Sequence, residues 1–178
     1  EAVRDIAEAS HVTTCGLARV VEKDIEAALD SGVDMVHTFV STSDVQLQDS
    51  MHATRQEALD SAVESVERIT EAGAECMFSP MDATRTSEDF LIEVIEATSE
   101  AGADWINIPD TVGVATPGRM YDLIELVSAH TDARIDVHAH DDFGFASANA
   151  ISGYEAGASQ AQVSVNGIGE RAGNAAYE

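Results

Sequence analysis

The segment Glu100-Ala-Gly-Ala-Asp-Trp-Ile-Asn-Ile108 decides the fold, because it sets a helix end, a glycine, a short apolar run and polar residues in immediate succession. Glycine just past a helix accepts the left-handed backbone that closes the last turn, so the segment reads as a helix-to-strand junction. The same grammar recurs in Asp30-Ser-Gly-Val-Asp-Met-Val-His-Thr-Phe39, Glu71-Ala-Gly-Ala-Glu-Cys-Met-Phe-Ser79 and Glu155-Ala-Gly-Ala-Ser-Gln-Ala-Gln-Val-Ser-Val165. Thr131-Asp-Ala-Arg-Ile-Asp-Val137 adds a copy without the glycine.

Amphipathic helices fill the intervals. Leu59, Ala62, Val63, Val66 and Ile69 recur at helical spacing behind Thr54 and Glu57, a capping box. Phe90, Leu91, Val94 and Ile95 do so after Ser87, and Met120, Leu123, Ile124 and Val127 after Thr116-Pro117, a cap with proline at the first helical position. Alternating strands and helices require a parallel sheet with right-handed crossovers, either a doubly wound open sheet or a closed (β/α)8 barrel.

Polar residues gather where the strands end: His37 and Thr38, Ser79 to Asp82, Asn107 to Thr111, His138 to Asp142, and Asn166 to Glu170. A barrel brings the carboxyl ends of all its strands to one mouth, whereas an open sheet spreads them along an edge, so this pattern predicts a barrel. The strands number six, the first near Val12-Thr-Thr-Cys-Gly-Leu-Ala18. Closure takes eight strands and about 250 residues, so residues 1–178 are expected to form a partial TIM-barrel domain lacking two strands.

Composition narrows the function classes. The 178 residues are 44% hydrophobic, enough for one domain with a substantial core. Against 9 Lys plus Arg stand 33 Asp plus Glu, a formal charge of -24, and Lys23 is the only lysine. Such a balance repels polyanions and anionic surfaces, so neither nucleic acid nor membrane is expected as a partner. The charges are spread along helical faces and resemble the surfaces of proteins from salt-loving (halophilic) cytoplasms. Cys15 and Cys76 are the only cysteines, each in a strand-like stretch, and are expected to be buried free thiols in a reducing compartment. No apolar run approaches a membrane span, and a cytoplasmic location is expected. The chain opens on Glu1 within a helical pattern and stops at Glu178 after a glycine-rich loop, so it reads as a piece of a longer protein.

One stretch carries chemistry on its face: Arg134-Ile-Asp-Val-His-Ala-His-Asp-Asp-Phe-Gly-Phe145. Side chains alternate along a strand, so Asp136, His138 and His140 share one face and Ile135, Val137 and Ala139 the other. Two neutral imidazoles one pleat apart can occupy adjacent positions on a divalent metal. A polar strand face with two unrelated histidines has the same spacing.

Six runs in order carry a resemblance. They are Cys15-Gly-Leu-Ala-Arg19, His37-Thr-Phe39, Phe78-Ser-Pro80 with Asp82-Ala83, Asn107-Ile-Pro-Asp-Thr-Val-Gly113, His138-Ala-His-Asp-Asp142 with Gly144, and Asn166-Gly-Ile-Gly-Glu-Arg-Ala-Gly-Asn174. Together they resemble the 2-isopropylmalate, citramalate and homocitrate synthases, a metal-dependent (β/α)8-barrel family related to hydroxymethylglutaryl-CoA lyase. The resemblance numbers the six strands as third to eighth. It places a polarising arginine and a metal-binding aspartate on the absent first strand, and the catalytic base beyond the barrel, often on a partner subunit. On that basis residues 1–178 alone are expected to be inactive and the full-length protein to be a homodimer.

The activity the resemblance implies is a Claisen-type condensation. A base deprotonates the methyl group of acetyl-CoA, the enolate attacks the ketone of a 2-oxo acid, and thioester hydrolysis releases CoA. A divalent ion (Mg, Mn or Zn) would act as Lewis acid. His138 and His140 match metal ligands, and Asn166 matches a position beside the metal and acetyl-CoA; tying off a strand end is its alternative role. Thr111 matches the hydroxyl that holds the substrate carboxylate, where a turn or helix cap is the plainer role. His37 matches a histidine lining the substrate site, with a satisfied core histidine as its alternative. Gly167 and Gly169 match a loop beside acetyl-CoA, where a tight turn would also explain them.

Two positions depart from the family pattern. Met81 stands where a glutamate is usual in the substrate pocket, and Asp141 stands where an asparagine is usual beside the second histidine. The lyase carries a catalytic cysteine in its last glycine-rich loop, and residues 167–174 contain none. The pattern therefore favours a 2-isopropylmalate or citramalate synthase, then homocitrate synthase, over a lyase or a non-catalytic metal- or metabolite-binding barrel.

Overall fold

The computed structural model describes residues 1–178. In chain order the elements are α1 (Ala2–Ala9), β1 (Cys15–Arg19), α2 (Glu22–Asp30), β2 (Met35–Ser41), the single turn α3 (Asp44–Gln46), α4 (Arg55–Glu71), β3 (Glu75–Met81), α5 (Glu88–Glu100), β4 (Trp105–Asp110), α6 (Pro117–Ser128), β5 (Arg134–Ala139), α7 (Ala146–Glu155) and β6 (Gln160–Gln162). Every pairing between these six strands is parallel, and the order across the sheet is the order along the chain. A doubly wound sheet reverses direction at a switch point, whereas a barrel lays each strand beside the last. The uninterrupted order is that of a barrel.

Strand alternation sorts the side chains. Val36, Phe78, Ile106, Ile108, Ile135 and Val137 point outward into a core of 28 buried residues, where they meet Val66, Ile69, Leu91, Ile95, Ile124 and Val127 of the helices. Residues of opposite phase face inward. Met35, Met77 and Trp105 form a separate apolar cluster there, at the amino ends of their strands. Arg134 lies 4.1 Å over the Trp105 ring and pairs with Glu75, which accepts the indole N–H at 2.8 Å. This floor closes one end of the inner face and leaves the carboxyl ends for the site.

The helix signals act as read, with one exception. Thr54 and Glu57 form a reciprocal capping box, and Thr116 accepts the Arg119 N–H ahead of Pro117. Ser87 caps α5 by position, but its side chain makes no cap bond.

Three expectations need correction. The first strand begins at Cys15, because Thr14 turns its N–H and hydroxyl to the Asp34 carboxylate at 2.7 and 3.0 Å and Val12 is exposed. Cys76 is buried, and burial pushes its thiol up to about 12, but Cys15 is exposed on the inner face of the edge strand. The last strand stops at Gln162, so Asn166 lies past it in a 3-10 turn. No helix is long and apolar enough to cross a membrane.

Gly153 sets the approach of α7 to β5, the strand that carries the histidine pair. A Cβ there would lie 2.6 Å from Val137 Cγ2 and 3.5 Å from Ile124 Cγ1. Alanine for glycine inside a helix gains about 1 kcal/mol from propensity, and forcing a methyl group into a full core costs about 1–3 kcal/mol. Gly153→Ala is therefore expected to lower stability in urea unfolding by up to about 2 kcal/mol, since the stiff β-branched Val137 has little room to yield. A gain in stability would show that α7 can lift away freely.

Candidate active site

The inward residues of all six strands line one cleft of about 840 Å³. One side chain from each of five consecutive strands forms a hydrogen-bonded belt across it. Ser79 Oγ donates to Asn107 Oδ1 at 2.6 Å, and Asn107 Nδ2 and Gln162 Nε2 donate to Asp136 Oδ2 at 2.7 and 2.6 Å. Because Ser79 spends its only hydrogen on Asn107, it accepts from His37, and His37 Nε2, at 2.6 Å, carries the proton. Burial raises the Asp136 carboxyl to about 6 against the pull of its Gln162 and Asn107 donors, and Asp136 Oδ1 has no partner.

His138 and His140 stand above this belt. Their Nε2 atoms are 3.1 Å apart, with the rings edge to face at 77°. Burial, then the nearby His140, push His138 down to about 4; burial and then Arg171 lower His140. Both are therefore neutral near pH 7, the form that ligates metals. Both Nδ1 atoms are buried without a hydrogen-bond partner. Nitrogens each about 2.1 Å from one ion stand about 3 Å apart when they meet it at a right angle, and the observed spacing fits. Among residues 1–178 no group of three or more His, Cys, Asp or Glu is placed to hold an ion.

A third donor nevertheless reaches the cleft. Asn174 bridges His140 through the backbone and donates Nδ2 to the Ala139 carbonyl at 3.2 Å, which anchors its amide. Its Oδ1 lies against Gly169 and receives no protein donor, and Asn174, Gly169 and Glu170 all line the cleft. Asn166, by contrast, is exposed at φ 59°, holds the Glu178 carboxylate through its N–H at 3.0–3.1 Å, and does not line the cleft. Gly167 accepts the Asn174 N–H at 3.0 Å, so it serves the loop's own packing.

His37, Thr111 and Met81 also line the cleft. Thr111 follows β4, and its hydroxyl accepts the Asp82 N–H at 2.9 Å while its carbonyl accepts Arg171 Nη2 at 2.8 Å. Arg171 also pairs with Asp142, whose carboxyl it holds below the usual carboxylate range, tying the last loop to β4 and β5. Asp141 turns away from the histidines to accept the Ala146 N–H at 2.9 Å. Its carboxylate thus meets the first turn of α7, where negative charge is favoured. A second cleft of about 780 Å³ lies at the opposite end, among Glu96, Glu100, Asp104 and Asp132. That end of a barrel serves stability rather than chemistry.

Sequence reasoning did not select Ser79, Asn107, Asp136, Gln162 or Asn174 as site residues. Counting strand phase outward from His37 and His138 selects the first four. Asn174 shares a motif with Asn166, and only the fold of the loop distinguishes them.

Sequential parallel strands and a polar cleft at their carboxyl ends define a (β/α)-barrel protein with the layout of an enzyme of that class. The chain belongs to the HMGL-like family, whose family model matches residues 1–178. It is 55% identical over 176 residues to a probable 2-isopropylmalate synthase of Methanosarcina mazei, covering 98% of this chain and 34% of that protein. It is 53% identical over 179 residues to a probable 2-isopropylmalate synthase of Methanopyrus kandleri, covering 100% of this chain and 36% of that one. The chain thus spans about a third of the length of these curated relatives. The Bacillus subtilis HMG-CoA lyase structure superposes with a TM-score of 0.82 at 24% identity, covering 97% of this chain and 63% of that one, and shares the fold.

His37 makes a pH prediction. Burial, then repulsion from His138, push it down to about 4 from an ordinary 6.5. Between these values the unfolded chain takes a proton that the folded one refuses, so stability is intact above 6.5 and falls as pH drops toward 4. The loss is at most about 3 kcal/mol. His37→Gln, which keeps a donor for Ser79, is expected to flatten that fall in urea unfolding at pH 7.5 and 5; an unchanged slope would refute it.

Proposed function

We propose that this chain forms the substrate- and metal-binding part of a 2-isopropylmalate synthase, which condenses acetyl-CoA with a 2-oxo acid and releases CoA, in leucine biosynthesis. The observation that carries the reading is the identity of about half of all residues to proteins of that name. The cleft supplies matching chemistry. When bound, a divalent ion would supply Lewis-acid polarisation of the 2-oxo acid, and His138, His140 and Asn174 would hold it. Thr111 donates its hydroxyl to the substrate carboxylate. Leu17, Phe39, Met81 and Pro109 line the cleft with apolar surface suited to a branched alkyl group. Gly169 and Glu170 of the last loop line the cleft, where the thioester of acetyl-CoA would lie.

We place the base and the polarising arginine outside residues 1–178, in a cytoplasmic homodimer. The excess of acidic residues supports a salt-rich setting. Absence of cysteine from residues 167–174 disfavours the lyase reading. The test is an assay of free CoA in a protein of the relatives' full length that carries this chain, with acetyl-CoA, Mn²⁺ or Mg²⁺, and 2-oxoisovalerate, pyruvate or 2-oxoglutarate. Fastest release with 2-oxoisovalerate is expected. Preference for pyruvate would make it a citramalate synthase, and preference for 2-oxoglutarate a homocitrate synthase. No release with any would sink the synthase reading in favour of a non-catalytic barrel.

A further inference from the structure

Asp82 is fully buried at the mouth end of β3 and holds a left-handed backbone, φ 68° and ψ 35°, that non-glycine residues rarely adopt. Three neighbours fix it there. Ser43 Oγ donates to Asp82 Oδ2 at 2.5 Å, Arg85 clamps both carboxylate oxygens at 2.6–2.9 Å, and Thr86 Oγ1 donates to the Asp82 carbonyl at 3.0 Å. Thr86 is braced in turn by Thr42 at 2.7 Å, and Ser43 caps α3. Strained backbone held by so many contacts marks a place where direction matters. Here the backbone N–H is what is aimed, and it points at Thr111 Oγ1, 2.9 Å away.

A threonine hydroxyl has one hydrogen and two lone pairs. Asp82 takes one lone pair from behind, so the hydrogen cannot lie on that side. No protein acceptor receives it, and Thr111 lines the cleft. The hydroxyl is thus set as a donor toward the cleft before substrate arrives, and pre-set donors lose less on binding than freely rotating ones.

We propose that Asp82 is a positioning residue: its N–H, held by Ser43 and Arg85, turns the Thr111 hydroxyl hydrogen toward the carboxylate of the 2-oxo acid. This rests on the reading of Thr111 as the carboxylate-binding residue. Asp82 touches no substrate, and its effect passes through one oxygen of another residue.

The test is a double-mutant cycle in a protein of the relatives' full length. Asp82→Gly keeps the left-handed backbone and the Thr86 bond to the carbonyl but removes the anchors from Ser43 and Arg85. It is expected to raise KM for the 2-oxo acid about tenfold while KM for acetyl-CoA changes less than about twofold. Asp82→Asn tolerates the same backbone and still accepts from Ser43 and Arg85, so it is expected to restore most of the loss. Ser43→Ala provides an independent, milder loosening if Asp82→Gly does not fold. In a Thr111→Val background these changes are expected to add nothing. Equal rises in both KM values, or full additivity with Thr111→Val, overturn the proposal alone. An unchanged 2-oxo acid KM in Thr111→Val by itself overturns the carboxylate reading and, with it, the proposal.

Discussion

Replacing His138 or His140 by alanine, in a protein of the relatives' full length, is expected to lower turnover by about a thousandfold or more and to remove tight divalent-ion binding. Each imidazole supplies one of the two nitrogens that converge at 3.1 Å, and among residues 1–178 no group of three or more His, Cys, Asp or Glu is placed to hold an ion in their stead. Lewis-acid stabilisation is worth several kcal/mol, and each 1.4 kcal/mol is about tenfold in rate. Folding should not suffer. Both Nδ1 atoms are buried without partners, so truncation removes an unsatisfied polar atom at each position. Calorimetric titration with Mn²⁺ separates the two effects: ion binding lost, ion-free Tm within a few degrees of the parent. Wild-type turnover in both variants would refute the assignment.

The barrel was legible because its signals are local and repeated. Gly73, Gly102 and Gly157 each follow a helix at positive φ and open the next strand, and Gly32 does the same. Such a junction is fixed by a few adjacent residues, so the chain reveals it without tertiary information. Polar strand ends then separate a mouth from an edge. The histidine pair was legible for the same reason, since period-two alternation puts His138 and His140 on one face whatever surrounds them. The exposure of Cys15 depends on which strands flank β1, and strand phase alone does not say.

The last loop resisted reading on physical grounds. Asn166 and Asn174 lie in one glycine-rich run, and which of them meets the histidines depends on how Gly167 to Gly173 folds back. The backbone bond from Asn174 N–H to the Gly167 carbonyl closes that run on itself and delivers Asn174, not Asn166, to the cleft. Asp141 shows the complementary case. It stands beside the second histidine in the sequence, but the nearby start of α7 claims its carboxylate.

Gly169→Ala tests that loop at its tightest point. Gly169 is absent from the positive-φ positions, so alanine meets no backbone penalty there. The obstacle is steric. A Cβ would lie 1.8 Å from Asn174 Oδ1 and 2.7 Å from its Cγ, so the amide must swing aside. It then loses its anchoring bond to the Ala139 carbonyl, about 1 kcal/mol, and displaces Oδ1, the proposed metal donor. Because the displaced atoms are the end of a flexible side chain, the fold is expected to survive with a Tm drop of a few degrees. Ion affinity and turnover are expected to fall about 10–100-fold, the range for removing a group that supports a metal site. Asn174→Ala should give the same loss, and the double variant should be no worse than either, because both remove one donor. Wild-type ion affinity in Gly169→Ala would remove Asn174 from the metal site and leave the two imidazoles as this chain's whole contribution.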